Sequence, residues 1–310
     1  CCGDIGVTAK LANTNTNDTL SLSGKVEYAH VISPIPYMAK GIVPVSKGDE
    51  DKISQGISKL LEEDLTLRFE NNAETRQMLI YGMGDMHLDV TVAKLKARYG
   101  VSVALEKQKI AYREAIKKKV SVEGKHKKQS GGHGQYGHVK ITIEPNEKGK
   151  GFEFINKVVG GNIPKEYIPA IEDGIKGAML SGVLAGFNVV DVIVTLNDGS
   201  YHEVDSSEMA FKIAGSMAFK DAMRKADPVL TEPIMKVVVV CPDDYMGAII
   251  GDLTSRRGSV TGIESMNGSQ QISAFVPLSN MFGYATDMRS QTQGRGSYTM
   301  EPSHYAEVPK

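Results

Sequence analysis

Two stretches of this 310-residue chain, residues 36–110 and 234–302, run through the same order of elements: strand, helix, strand, strand, helix, strand. That order constrains the fold more than any single motif, because a βαββαβ unit closes into one compact ferredoxin-like sheet-and-helix layer. In the first stretch Pro36–Val45 reads as a strand. Ile53, Ile57, Leu60 and Leu61 follow Asp49, a candidate N-cap, at the spacing of an amphipathic helix. Leu65–Glu70 and Arg76–Tyr81 predict two strands turning at Asn71-Asn72. Leu88, Val92, Leu95 and Tyr99 predict a second helix stopped by Gly100, and Val101–Leu105 a last strand. In the second stretch Met235–Cys241 is an apolar strand, and Asp243 opens a helix holding Met246, Ile249, Ile250 and Leu253. Val260–Glu264 and Gln270–Val276 flank the Asn267-Gly268 turn, Ser279–Gln293 predicts a helix, and Ser297–Glu301 the closing strand.

The segment between them differs. Val139–Ile143 and Phe152–Val159 read as strands, and Pro164 opens a long helix carrying Ile168, Ile171, Ile175 and Met179 on one face. Val189–Leu196 predicts a strand ending in the turn Asn197-Asp198-Gly199. Asp205 with Glu208 predicts a capping pair for a helix running to about Lys225, and Pro228 the close of the domain. The fold class expected is therefore a multidomain α+β and α/β chain: two ferredoxin-like βαββαβ domains flanking an elongated α/β domain, with a β-barrel remnant at the N-terminus. The expected domains are 1–25 (the end of a β-barrel), 26–110, 111–230 and 231–310.

Composition excludes several classes. Hydrophobic residues are 41% and charged residues 24%, with 36 Lys+Arg against 37 Asp+Glu, so the chain is neither disordered nor globally basic. No run approaches the ~18 apolar residues of a membrane span. Three cysteines without a metal-ligand spacing predict a reducing, cytoplasmic compartment and no metal site. The chain opens at Cys1-Cys2 without a secretion signal, and is expected to be a piece of something longer.

Charge is concentrated in one place. Between Lys107 and Lys128 nine basic residues face only Glu114 and Glu123, a local balance of +7. Lys117, Lys118, Lys119, Lys125, Lys127 and Lys128 are candidate phosphate contacts; the bland alternative is a solvated basic face. A glycine loop follows at once: Gly131, Gly132, His133, Gly134, Gln135, Tyr136 and Gly137. Its G-x-G-x-x-G match is no dinucleotide site, because a strand rather than a helix follows it. An exposed loop between strands fits better, with Gln135, Tyr136 and His133 free to hydrogen-bond or stack on nucleotides; the alternative is a plain hairpin loop. A second polar loop holds Ser200, Tyr201, His202 and Glu203. His202, Asp205 and Ser206 stand too close along the chain to make a persuasive triad, and no catalytic residue is expected. Asp85, His87 and Asp89 form a poor ligand set on a helix. No G-x-x-x-x-G-K-[ST] occurs, so no P-loop is present.

At these loops the chain resembles bacterial elongation factor G. The resemblance rests on Gly131-Gly-His-Gly-Gln-Tyr-Gly-His-Val-Lys140, Val159-Gly-Gly-Asn-Ile-Pro-Lys-Glu-Tyr-Ile-Pro169 and Asp198-Gly-Ser-Tyr-His-Glu-Val-Asp-Ser-Ser-Glu-Met-Ala-Phe-Lys212. Glu232-Pro-Ile-Met235, Gly251-Asp-Leu-Thr-Ser-Arg-Arg-Gly258, Ala274-Phe-Val-Pro-Leu278, Met281-Phe-Gly-Tyr-Ala-Thr-Asp287 and Gln293-Gly-Arg-Gly296 extend it over nearly the whole chain. The resemblance implies the last three of five domains plus the end of the second, a β-barrel. It implies a factor that moves tRNA and mRNA through the ribosome, its fourth domain entering the small-subunit decoding region. Gln135 and His202 match the family's tip glutamine and tip histidine. The fifth domain is implied to meet the GTPase-activating rRNA of the large subunit. GTP and Mg²⁺ are implied only for a GTPase domain in cis; this chain is expected to hold no cofactor, to act as a monomer and to avoid membranes. Leu65 stands where the family has Pro, Thr75-Arg76 lacks the usual glycine, and His133 stands where the tip usually carries Arg. These departures leave open a paralogue acting in ribosome recycling or rescue. Two further readings also remain: an RNA-binding module that never carried a GTPase domain, and an α/β enzyme using His202 or the glycine loop.

Overall fold

The computed structural model describes residues 3–46, 48–129, 134–266 and 268–309. Residues 3–37 form neither helix nor strand, and Ile5 and Val7 stand fully exposed. A short apolar run needs neighbouring strands to pair its backbone, and none of the sheets described below reaches it.

The first βαββαβ unit is β1 (Met38–Pro44), α1 (Glu50–Glu63), β2 (Arg68–Asn72), β3 (Gln77–Gly82), α2 (Asp85–Tyr99) and β4 (Val103–Glu106), with sheet order β2-β3-β1-β4. Ile42, Ile53, Ile57, Leu60, Ile80, Leu88 and Leu95 form its core, so the helical spacing read from the sequence does mark the buried faces. Two local expectations are corrected. The turn falls at residues 73–76, with Arg76 at φ +50°, because Asn71 and Asn72 stay paired with Met78 and Gln77. Asp49 accepts the Ile53 amide through its backbone carbonyl; its carboxylate turns to Lys52 instead of capping the helix. The Asp85, His87, Asp89 cluster is dispersed: Asp85 pairs with Lys40, while His87 bridges Asp64 at 2.9 Å and the Met83 amide at 3.1 Å.

The middle domain contains β5 (Arg113–Ile116), β6 (Val120–Lys128), β7 (Gln135–Pro145), β8 (Phe152–Asn156), α3 (Ile168–Ser181), β9 (Val192–Ser200) and α4 (Glu208–Lys225). Its sheet runs β6-β7-β9-β8, antiparallel except for the parallel β8–β9 pair that α3 connects. α4 lies unusually close to the sheet. Ala210, Ala214, Ala218 and Ala222 recur at helical spacing on its buried side, and a side chain on Gly124 or Gly137 would meet the Ala214 or Ala210 carbonyl at 2.6 Å. Phe211 and Phe219, fully buried between sheet and α3, each contribute about 1.5–3 kcal/mol of apolar burial.

Three features of this domain depart from the sequence expectation. The basic stretch, to which the sequence assigns no element, holds two strands, β5 and β6. Asn197-Asp198-Gly199 is no turn; β9 continues to Ser200 because β7 pairs on both sides, and the extra residue forms a bulge between Leu196 and Asp198. Asp205 does not cap α4; Ser207 does, its side chain accepting the Ala210 amide.

The second βαββαβ unit is β10 (Pro228–Pro242), α5 (Met246–Ser255), β11 (Ser259–Met266), β12 (Ser269–Pro277), α6 (Tyr284–Gln291) and β13 (Ser297–Glu307). Its order β11-β12-β10-β13 repeats that of the first unit. Gly283, at φ +79°, splits the expected Ser279–Gln293 helix into a short turn and α6. Pro228 opens a strand instead of closing a domain: residues 228–231 pair with β5 and the rest with β12 and β13. The fold is thus the two ferredoxin-like units and intervening α/β domain expected from the sequence. Among the described residues, no helix is long and apolar enough to cross a membrane.

Candidate nucleic-acid interface

The two loops singled out in the sequence meet at one end of the middle domain. The β6–β7 hairpin, paired up to Lys128 opposite Gln135, and the β9–α4 loop project from adjacent strands of one sheet. Three hydrogen bonds fasten them together, and a fourth closes the β9–α4 loop on itself. The Gly134 amide donates to the Asp205 carboxylate at 2.8 Å, and the Tyr136 amide to the Asp205 carbonyl at 2.7 Å. The Ser206 hydroxyl donates to the Tyr136 carbonyl at 2.9 Å and accepts the His202 amide at 2.9 Å. The hydroxyl of Ser206 is therefore committed to the backbone and is no nucleophile for His202.

These bonds assign different roles to the predicted residues. Gly134 and Gly137 serve the architecture: a side chain on Gly134 would crowd the Asp205 carboxylate at 3.0 Å, and Gly137 admits α4. Ser200 is internal to a network in which its hydroxyl meets the Tyr136 hydroxyl at 2.8 Å and His138 Nδ1 at 2.9 Å. Gln135, Tyr201, His202 and Glu203 face solvent. His202 Nδ1 accepts the Val204 and Asp205 amides at 3.3 and 3.2 Å, which fixes the tautomer with hydrogen on Nε2 and turns that donor outward. The His202 ring lies 6.3 Å from that of Tyr136, and Gln135 Oε1 meets His126 Nε2 at 2.9 Å. Gly131, Gly132 and His133 lie outside the described residues.

The lysines divide into two groups. Lys117, Lys118 and Lys119 are paired with Glu307, Asp227 and Glu144, at the end of the domain away from the tip. Arg113, in the same run, is held by Glu74. Lys125, Lys127 and Lys128 lie exposed on the tip half of β6, with no carboxylate partner among the described residues; Lys125 sits over the Tyr136 ring at 5.7 Å. From Arg113 onward the run is thus paired at its base and open at its tip, while Lys107 and Lys109, ahead of β5, have no carboxylate partner among the described residues. The sequence could not show this, because the neutralising carboxylates lie up to 190 residues away.

One group at the base carries no signal in the sequence. Glu114, fully buried, accepts five backbone N–H bonds from Val183, Leu184, Ala185, Gly186 and Phe187 at 2.8–3.2 Å. Burial alone would raise its carboxyl, but the Ala185, Leu184, Val183 and Phe187 amides outweigh it and hold it below the ordinary carboxylate range. A cleft of about 760 Å³ lies between the two βαββαβ units, lined by residues that include Tyr37, Arg68, Tyr81, Met281 and Tyr298. None of the described tip residues borders it.

Sequence models of three consecutive domains of one family match the chain: elongation factor G domain III over residues 33–107, domain IV over 108–227 and the C-terminus over 229–310. The chain belongs to the elongation factor G family. A crystal structure of a Thermus thermophilus protein superposes with a TM-score of 0.79 at 42% identity. The match covers 94% of this chain and 43% of that one, so the chain spans less than half of that relative. Within the elongation factor G domains, the tip belongs to domain IV, and the paired lysines Lys117 and Lys118 lie where domain IV meets the C-terminal domain.

Proposed function

We propose that this chain is the part of a translation elongation factor that follows tRNA and mRNA through the ribosome, its domain IV tip entering the small-subunit decoding region. The observation that supports this most is the tip itself. Two loops clamped by backbone hydrogen bonds present Gln135, Tyr201 and the outward Nε2–H of His202, beside three lysines without counter-charges among the described residues. Duplex RNA is recognised by shape, by 2′-hydroxyls and by phosphates, for which short polar side chains, glycine backbone and lysine are suited. In this reading the C-terminal domain meets the GTPase-activating rRNA of the large subunit, and domain III relays the nucleotide state. The factor acts as a cytoplasmic monomer. The sequence holds no G-x-x-x-x-G-K-[ST] phosphate-binding loop for GTP and Mg²⁺. They belong to a GTPase domain in cis. No step of the reading runs through them.

The test is His202→Ala in the full-length factor, followed by rapid kinetics. Movement of tRNA is expected to slow at least tenfold while GTP hydrolysis stays within twofold. A parallel loss of both would refute the assignment.

A further inference from the structure

A third loop stands at the same end of domain IV, between β8 and α3. It leaves the sheet at Lys157, whose amide bonds to the Leu196 carbonyl at 2.8 Å, and is fastened again where Asn162 Nδ2 donates to the Asp198 carboxylate at 2.9 Å. Ile163 is buried against Gly199, the residue before Ser200; a side chain on Gly199 would stand 2.5 Å from Ile163 Cδ1. Just beyond, the Tyr167 ring stacks on Phe211 in the first turn of α4 at 4.9 Å. The loop is therefore held against β9 one residue pair behind the His202 loop, which is about 7 Å along a strand.

Between its fastenings the loop holds nothing together. Val159, Gly160, Gly161 and Asn162 are exposed, Val159 to 80%. Gly160 and Gly161 have φ of +76° and +73°; a side chain on Gly161 would meet nothing within 4 Å, and on Gly160 only the Asn162 side chain at 3.9 Å. The glycines are thus required by the backbone path and not by packing. The amides of residues 159–162 meet no acceptor among the described residues. Lys157 and Lys165, exposed at either end, have no carboxylate partner among the described residues, whereas nearby Lys140 and Lys176 are paired with Asp198 and Glu172. The nearby Asp198 carboxylate is occupied by Lys140 and Asn162.

Unpaired amides flanked by unpaired lysines, on a strip without side-chain bulk, are the donors that take phosphate oxygens without reading sequence. We propose that this loop is a third RNA-binding element of the tip. It grips the phosphate backbone through Lys157, Lys165 and the amides of residues 159–162, next to the bases or riboses met by the other two loops. The inference rests on the reading of the tip as a ribosome-entering surface and extends it to residues that the glycine-loop and histidine-loop motifs do not include.

The experiment is binding of the full-length factor to 70S ribosomes programmed with mRNA and tRNA, measured from low to moderate KCl. Parent, Lys157→Gln/Lys165→Gln and Lys125→Gln/Lys127→Gln are compared. Removing one lysine–phosphate pair flattens the log–log salt slope by ~0.7–0.9. Both double variants are expected to flatten it by ~1–2 on that basis, with the melting temperature unchanged because no fastening side chain is altered. If only Lys125→Gln/Lys127→Gln flattens the slope, the third loop is a solvated turn and this inference fails while the tip reading stands. If neither does, both fail. A loss of affinity by Lys157→Gln/Lys165→Gln that is equal at every salt concentration would mean a protein contact, and would overturn the RNA assignment.

Discussion

Replacing Glu114 by Gln changes almost no volume but reverses half of the site's polarity. In the parent one carboxylate oxygen accepts Val183 and Leu184 and the other accepts Ala185, Gly186 and Phe187. A glutamine offers one acceptor oxygen, so its amide nitrogen must confront at least two of these N–H donors. Each lost charge-assisted bond is worth about 1.5–3 kcal/mol, and each stranded buried donor adds a cost of the same order. The sum, reduced by relaxation of the loop, is about 3–5 kcal/mol for domain IV. Three separate apolar cores make a single global transition a poor assumption. The assay is therefore hydrogen exchange of the residue 183–187 amides, read alongside a thermal melt. Exchange there is expected to rise more than a hundredfold, and the domain IV transition to fall by about 10 °C or more. The pH dependence carries a second signature. A carboxyl held below its ordinary range when folded stabilises fully above the unfolded value of about 4.3, and that contribution is lost as pH falls through the folded value. Glu114→Gln is expected to erase this acid-range loss. A variant melting within about 1 °C of the parent, with unchanged exchange, would refute the reasoning.

Other outcomes follow from the tip and its supports. Gly137→Ala places a Cβ 2.6 Å from the Ala210 carbonyl, so backbone must move; domain IV is expected to lose about 1–3 kcal/mol in urea unfolding. Asp205→Ala removes the acceptor of the Gly134 amide; faster exchange of the Gly134 amide is expected, with a melt lowered by no more than a few degrees. Charge reversal at Lys125, Lys127 and Lys128 should flatten the salt dependence of ribosome binding, whereas reversal at Lys117, Lys118 and Lys119, already paired, should do so far less.

Much of the fold is legible in the sequence. The paired βαββαβ units announce themselves through Ile53, Ile57, Leu60 and Leu88, Leu95, whose helical spacing is the buried stripe itself. β6 is hidden for a physical reason. Its buried side reads Val120, Val122, Gly124, His126, and the glycine is present because α4 fills the place of a side chain. A strand backed that closely by a helix loses the apolar alternation that would betray it. Asn197-Asp198-Gly199 has turn chemistry, yet becomes a bulge because pairing with β7 resumes at Lys140. That the two tip loops are neighbours follows from family resemblance and from nothing in their own residues. Their clamp has no sequence signal at all: Asp205 looks like a helix cap in a polar loop, and only the fold brings Gly134 to it, 71 positions away. The loop at residues 157–163 shows in the sequence only as part of one string of family resemblance; the amides of residues 159–162 are common to every sequence, and only the fold shows that Lys157 and Lys165 have no carboxylate partner among the described residues.

The 15-residue strand β10 has a mechanical consequence. At Thr231 it is flanked by Arg113 of β5 on one side and Glu307 of β13 on the other, so it is a structural member of both domain IV and the domain after it. There is no slack joint between them. Displacing one domain against the other therefore requires breaking the backbone pairs of β10 with β5 or with β13. The joint is a shared strand and not a linker, so the two domains are expected to move as a coupled pair.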